Sequence, residues 1–89
     1  GDYRIDMVEL IKKGQYREAR ELVCKQIRQD EIDDMWRWMY DNLELWSDNP
    51  DGMDKAILII RKGLVNHTLV ADPEINLSAT LIELSQINS

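Results

Sequence analysis

The sequence predicts an all-α domain, a compact bundle of about five short helices that begins with an antiparallel helical hairpin. Only two prolines and four glycines interrupt the 89 residues, and no stretch alternates polar and apolar residues as a half-buried strand does. Apolar residues recur instead every three or four positions, which is the spacing of one helix face. We therefore expect a single domain over residues 1–89.

The first two helices are predicted over residues 3–13 and 16–29. Asp2 is placed to cap the first helix, and Gly14 ends it directly after two lysines. The second helix carries one apolar stripe, formed by Tyr16, Ala19, Val23 and Ile27. Because about two residues join these helices, they should form an antiparallel hairpin.

A third helix is predicted over residues 31–46, with Asp30 as its N-cap. Its main apolar stripe consists of Ile32, Met35, Trp36, Met39, Leu43 and Trp46. Trp38 and Leu45 lie well off this stripe. Part of the apolar surface of this helix is therefore not needed for a single packed face.

The fourth helix is predicted to begin at Asn49 and Pro50, which resemble an N-cap and first helical residue, and to run to Asn66. Its centre, residues 56–60, is apolar on all sides, which predicts a buried middle element. Gly63 costs about 1 kcal/mol relative to Ala in a helix, unless close packing requires a bare backbone there.

The last helix is predicted over residues 73–87, with Asp72 and Pro73 repeating the start signal. It carries two apolar stripes: Ile75, Ala79 and Ile82 on one, and Leu77, Leu81 and Leu84 on the other. One stripe would be enough to bury this helix against the core, so the second stripe is surplus.

Charge, cysteine content and hydropathy disfavour nucleic-acid-binding, disulfide-linked and membrane-spanning proteins. Seventeen acidic residues against eleven basic ones give a net charge of -6, which disfavours this segment as the main contact with nucleic acid. Cys24 is the only cysteine, so no internal disulfide can form and a reducing cytoplasm is the expected location. No apolar run approaches the ~18 residues of a membrane span, and no membrane contact is expected. The start at Gly1 suggests a segment of a longer protein.

No group of residues predicts catalysis, a metal site or a bound cofactor. The chain lacks a phosphate-binding loop, and His67 and Cys24 are single residues without sequence partners for metal binding or nucleophilic attack. His67 is interpreted as a structural or solvent-facing residue, and Cys24 as a small core residue. The acidic residues that could act as acid and base are explained by helix capping and a loop; they are Asp33, Asp34, Asp48 and Asp51.

The surplus apolar residues predict a protein–protein interface, although some could be core packed from two sides. Aromatic and long aliphatic side chains are enriched at such surfaces. The candidate interface residues are Trp38, Leu45, Leu77, Leu81 and Leu84.

The sequence resembles two known protein families, one over a single turn and the other over most of the chain. Residues 14–19 read Gly-Gln-Tyr-Arg-Glu-Ala and are similar to the turn of a tetratricopeptide repeat, but no second copy follows at the ~34-residue period. Over almost its whole length the chain resembles the C-terminal domain of clamp-loader small subunits, the replication factor C family and its T-even phage relatives. Lys13-Gly14 followed by Glu-Ala-Arg at 18–20 resembles that family's first hairpin.

Residues 71–79 read Ala-Asp-Pro-Glu-Ile-Asn-Leu-Ser-Ala and resemble the family's last helix, which opens with Ala-Asn and continues Glu-Ile-Gln-Leu, then Ala. Asp72 stands for the family's Asn and Asn76 for its Gln. Pro73 and the Trp-rich third helix depart from the cellular members and favour the phage branch.

The resemblance implies an assembly role. In this family the domain packs beside its copies in a collar that holds AAA+ ATPase modules in a ring, and the ring loads a sliding clamp onto primed DNA. The expected partners are other clamp-loader subunits, with clamp and DNA reached only through upstream domains. The resemblance implies no cofactor and no catalytic residue in this domain.

Two other interpretations remain open. A free-standing helical adaptor would present a concave apolar groove on a stable monomer. A small enzyme would need a convergent set of buried polar groups.

Overall fold

The computed structural model describes residues 2–87, and within that range the chain forms five α-helices and no strand. This confirms the predicted all-α class. Two 3₁₀ turns, at Gln29–Glu31 and Leu43–Leu45, flank the third helix. The helices are α1 (Tyr3–Lys12), α2 (Tyr16–Gln26), α3 (Ile32–Asp41), α4 (Pro50–His67) and α5 (Pro73–Ser85).

Three predicted N-caps are confirmed, because each side chain accepts a hydrogen bond from an otherwise unpaired amide of the first helical turn. Asp2 accepts from the amide two residues further on, at 2.9 Å. Asn49 Oδ1 accepts from the Gly52 amide at 2.7 Å, and Asp72 Oδ1 accepts from the Glu74 amide at 3.0 Å. The sequence therefore located the starts of α1, α4 and α5.

The first two helices pack on each other as the hairpin prediction requires. Gly14 between them adopts a φ of +77°, a left-handed conformation that glycine reaches without a steric penalty. Ala19 of α2 is completely buried. A side chain this small allows the two helix backbones to approach closely.

The core lies between all five helices. α5 packs on α1, α2 and α4, while α3 packs on α4. The largest fully buried side chains include Trp36 and Trp46, so the tryptophans take up much of the interior volume. Other core side chains come from every helix: Met7, Val8, Ile11, Val23, Met35, Met39, Ala56, Ile60, Leu77, Leu81 and Leu84.

The predicted third helix is shorter than expected at both ends. Asp30 belongs to the first 3₁₀ turn and does not cap α3. At the other end, the Asn42 side chain donates to the Trp38 carbonyl at 2.8 Å, and Trp46 Nε1 donates to the Met39 carbonyl at 3.1 Å. In a longer helix, these two carbonyls would accept hydrogen bonds from backbone amides four residues further on. Here they accept from side chains, and α3 ends. Trp46 folds back into the core.

The prediction that α4 is buried on all sides is wrong. Ala56 and Ile60 face the core, but Leu58 is 58% exposed. α4 is an outer helix with an apolar outward side, a pattern that resembles burial when only the sequence is considered. No helix in residues 2–87 is both long and apolar enough to span a membrane.

Candidate interaction surface

Three of the five predicted interface residues lie in the core. Leu77, Leu81 and Leu84 are each no more than 3% exposed, so the folded chain leaves them no surface for a partner. The two apolar stripes of α5 are similar in hydrophobicity, and the sequence could not show which one faces inward. The other stripe faces outward, with Ile75 68% exposed and Ile82 37% exposed. The interface prediction is corrected for these three leucines.

Trp38 and Leu45 are half-buried and pack against the edge of the core. The Arg4 guanidinium lies 4.9 Å from the centre of a Trp38 ring, a cation–π contact that ties α1 to α3. Much of the Trp38 surface is therefore covered by the chain itself. This arrangement gives Trp38 a role in the fold and leaves only part of its surface for a partner.

The exposed apolar surface that the sequence did not identify lies on α4. Four exposed residues at spacings of four, three and four line its outward side, and we call them the α4 face: Asp54, Leu58, Arg61 and Val65. Val65 is 52% exposed, similar to Leu58. Leu64 flanks this face at 46% exposure, and Leu69 extends it beyond the helix end at 79%. Large apolar side chains at such exposures, so close together, are typical of interaction sites.

A largely apolar groove of about 350 Å³ adjoins this surface between α3 and α4. Its apolar lining residues include Trp36, Tyr40, Ile57, Ile60 and Leu64. Arg37 and Arg61 border it, and Arg37 is already paired with Asp41 at 3.0 Å. The groove could accept apolar side chains from a partner.

Charge is distributed unevenly along α4. Residues 55–71 contain no acidic residue in a chain that carries seventeen, while three of the eleven basic residues lie there. Lys62 is paired with Glu83 of α5 at 2.9 Å. Arg61 makes no ion pair within residues 2–87, so its charge remains available to a partner.

His67 joins the end of α4 to the start of α3. Its Nε2 contacts an Asp33 carboxylate oxygen, and its ring lies 6.0 Å from that of Trp36, centre to centre. This contact agrees with the structural role predicted for His67. Across residues 2–87, no group of three or more His, Cys, Asp and Glu side chains is placed to hold a metal ion.

Cys24 lines a cavity of about 50 Å³ between α2 and α5. Burial, followed by a hydrogen bond to Glu74, raises the pKa of its thiol to about 11. At neutral pH the thiol is therefore protonated, and it lacks the thiolate character of a nucleophile. Cys24 is half-buried at the edge of the core, so the prediction that it is a core residue is only partly met.

Two buried polar side chains serve helix packing. Asn76 of α5 donates to the Gly63 carbonyl of α4 at 2.8 Å, and Thr80 donates to the Asn76 carbonyl at 3.0 Å. Of the four acidic candidates, Asp33 contacts His67 and Asp34 lines an open pocket beside Asp2 and Glu31, while Asp48 and Asp51 have exposed side chains.

The described residues form a small helical domain with exposed apolar side chains along α4. No family model, curated protein or solved structure matches the chain.

Proposed function

We propose that this chain is a subunit-assembly domain, the collar of a clamp-loader subunit of the replication factor C type found in T-even phages. It holds ATPase modules in a ring so that the complete complex loads a sliding clamp on primed DNA. The observation that carries the assembly role is the α4 face, where Leu58 and Val65 are both more than half exposed. Leaving such side chains in water is unfavourable unless a partner covers them.

The segments that resemble the family occupy packing positions, which supports the collar proposal. Gly14 forms the turn of the first hairpin, and Ala19 of its second helix is completely buried. In the last helix Leu77 is a core residue and Asn76 anchors α5 to α4. These motifs therefore correspond to requirements of helix packing, as expected for a domain whose role is architectural.

In the proposed parent protein, ATP hydrolysis and DNA binding are functions of other domains. Nucleotide binding, the arginine finger and the DNA path belong to upstream modules, because the sequence has no phosphate-binding loop. The net charge of -6 is consistent with a domain that does not grip DNA directly. The immediate partners are the corresponding domains of neighbouring subunits.

The test uses the chain as its source encodes it, with whatever precedes this segment. Leu58→Glu should abolish or strongly weaken ring assembly, measured by native mass spectrometry, because it places a charge in the centre of the α4 face. Nucleotide binding by the upstream modules should persist. Ile75→Glu is the matched control, because Ile75 is equally apolar, similarly exposed and lies on α5.

A natural chain that stays monomeric and binds no nucleotide would contradict the proposal. If Leu58→Glu and Ile75→Glu reduced assembly equally, the α4 face would not be the surface through which the subunits associate.

The α3–α4 groove supports a second candidate, a helical adaptor that binds a partner peptide or helix. An adaptor would remain a monomer at every concentration and would lose peptide binding when Tyr40 at the groove is changed to Ser. The assembly domain instead changes oligomeric state with concentration.

A further inference from the structure

We propose that the α4 face binds the outward side of α5 in a second copy of this chain, with the two helices antiparallel. This inference rests on the assembly function proposed above and names the surface that covers the α4 face. Each contact joins two different surfaces, so one copy can engage two neighbours.

The outward side of α5 has the same residue spacing as the α4 face. Four exposed residues at spacings of four, three and four line it, and we call them the α5 face: Ile75, Ala79, Ile82 and Gln86. Ile75 and Ile82 are seven positions apart, the same separation as the two apolar residues of the α4 face. Within residues 2–87, only α4 and α5 have two large exposed apolar residues at this separation. Each of these helices therefore has an apolar stripe that the fold leaves uncovered.

An antiparallel alignment matches the two faces along their whole length. The spacing of four, three and four reads the same in both directions, so every residue of one face meets a residue of the other. The facing pairs are Asp54 with Gln86, Leu58 with Ile82, Arg61 with Ala79, and Val65 with Ile75. Both apolar residues of the α4 face are thus covered by apolar residues of the second copy.

The two helices also carry opposite charge. Residues 55–71 contain basic residues and no acidic ones, whereas α5 has two glutamates and no basic residue. Arg61, which makes no ion pair within the described part of the chain, lies opposite the small side chain of Ala79 in this alignment. It is one helical turn from Glu83 of the second copy. The contact therefore brings the unpaired cation of α4 to an acidic helix.

The helix ends select the orientation. The spacing of the apolar residues would also allow a parallel alignment, with Leu58 opposite Ile75. The antiparallel alignment places the C-terminal end of α4, which carries partial negative charge, beside the N-terminal end of α5, which carries partial positive charge. The parallel alignment brings two C-terminal ends together.

A contact between two α4 faces fits less well. An antiparallel pair that aligns Leu58 with Val65 brings Arg61 and Lys62 of one copy against the same two cations of the other, and like-charge repulsion disfavours this. Aligning Asp54 with Arg61 instead moves Val65 to the first residue of the other helix. The second apolar residue then lies at the edge of the contact.

The remaining surfaces fit less well for similar reasons. Two α5 faces that align Ile75 with Ile82 also align Glu74 with Glu83, which places like charges opposite each other. Among the described residues, α1 and α3 each have one large exposed apolar side chain and α2 has none. None of these three helices can cover two apolar residues seven positions apart.

Charges introduced at facing positions test the contact and its orientation, by sedimentation velocity of the 89-residue chain over a range of concentrations. Leu58→Glu and Ile82→Lys should each lower the association constant about tenfold or more, because each places an unpaired charge against an apolar side chain. The double variant Leu58→Glu/Ile82→Lys should recover most of the association, since the two new charges face each other in every contact. Leu58→Glu/Ile75→Lys should not recover, because these positions face each other only in the parallel alignment.

Ile5→Glu and Ile5→Lys are the matched controls, since Ile5 is as exposed as Ile82 and lies on α1, outside both faces. Ile75→Glu should weaken association less than Leu58→Glu. Its carboxylate would lie among the basic residues of α4, whereas a carboxylate at position 58 would lie beside Glu83 of the second copy.

Three results would overturn the proposal. The chain could remain monomeric at its solubility limit, or the single substitutions could act no more strongly than the Ile5 controls. Failure of Leu58→Glu/Ile82→Lys to recover, or recovery in Leu58→Glu/Ile75→Lys instead, would be the third.

The inference and the proposed function fail separately. Recovery in Leu58→Glu/Ile82→Lys without an upstream phosphate-binding loop would sustain this contact and remove the clamp-loader function. Ring assembly of the natural chain that tolerates Ile82→Lys would sustain the assembly function and overturn this contact.

Discussion

Gly63 lies where α4 packs against α5 and Trp36. A Cβ atom at this position would overlap the Trp36 ring and lie 2.5 Å from Thr80 Oγ, and both side chains are almost fully buried. Gly63→Ala should therefore destabilise the fold by about 1–3 kcal/mol, the usual cost of overpacking, despite the better helix propensity of Ala. Urea denaturation followed by tryptophan fluorescence measures this change.

An unpacked glycine in a helix would behave in the opposite way. Its replacement by Ala would raise the free energy of unfolding by about 1 kcal/mol. A more stable Gly63→Ala variant would thus contradict the close approach of α4 to Trp36.

Cys24 provides a second test at the residue scale. Because the pKa of its thiol is raised to about 11 from an ordinary value near 9, the thiolate fraction at neutral pH is about a hundredfold lower than that of an unperturbed cysteine. Alkylation by iodoacetamide should be correspondingly slow in the folded chain and should accelerate as pH rises toward 11. The same chain in denaturant is the control, and equal rates in both states would contradict the raised pKa of the Cys24 thiol.

At the scale of elements, Trp38 and Leu58 differ in role: Trp38 packs against the core, whereas Leu58 is exposed to solvent. Trp38→Ala should lower the free energy of unfolding by about 1–3 kcal/mol, because a half-buried indole leaves the edge of the core and its contact with Arg4 is lost. Leu58→Ser should change stability by no more than about 0.5 kcal/mol and should weaken self-association. Thermal denaturation and sedimentation velocity measure the two effects, and the reverse assignment would contradict the surface described above.

The starts of α1, α4 and α5 could be predicted from sequence, because an N-cap depends on a few neighbouring residues, whereas the predicted cap of α3, Asp30, lies in a 3₁₀ turn. Asp2, Asn49 and Asp72 each accept the amide hydrogen bond expected of them. The end of α3 could not be predicted in this way. Its position depends on Trp46 folding back to the Met39 carbonyl, a contact that requires the surrounding core.

The exposed apolar surface was harder to predict than the fold for a similar reason. An apolar stripe on α5 can face a core or a partner, and only packing decides that Leu77, Leu81 and Leu84 face inward. On α4 the apolar run at residues 56–60 concealed an exposed side that includes Leu58. Helical periodicity identifies apolar faces, whereas the arrangement of all five helices determines which face remains exposed.

At the scale of the whole molecule, the helical core leaves an exposed apolar surface on α4 in a chain whose net charge is -6. Contacts between copies of a chain close into rings when they join two different surfaces and the rotation per subunit permits it. This property connects the residues of the α4 face with the proposed collar.

The most direct test of the collar assignment is the coding sequence that precedes this segment in its source nucleic acid. The account predicts an open reading frame that continues upstream and encodes a phosphate-binding loop, Gly-x-x-x-x-Gly-Lys followed by Ser or Thr, within a few hundred residues. A reading frame that starts at this segment, or that encodes no such loop upstream, would contradict the assignment and favour the helical adaptor.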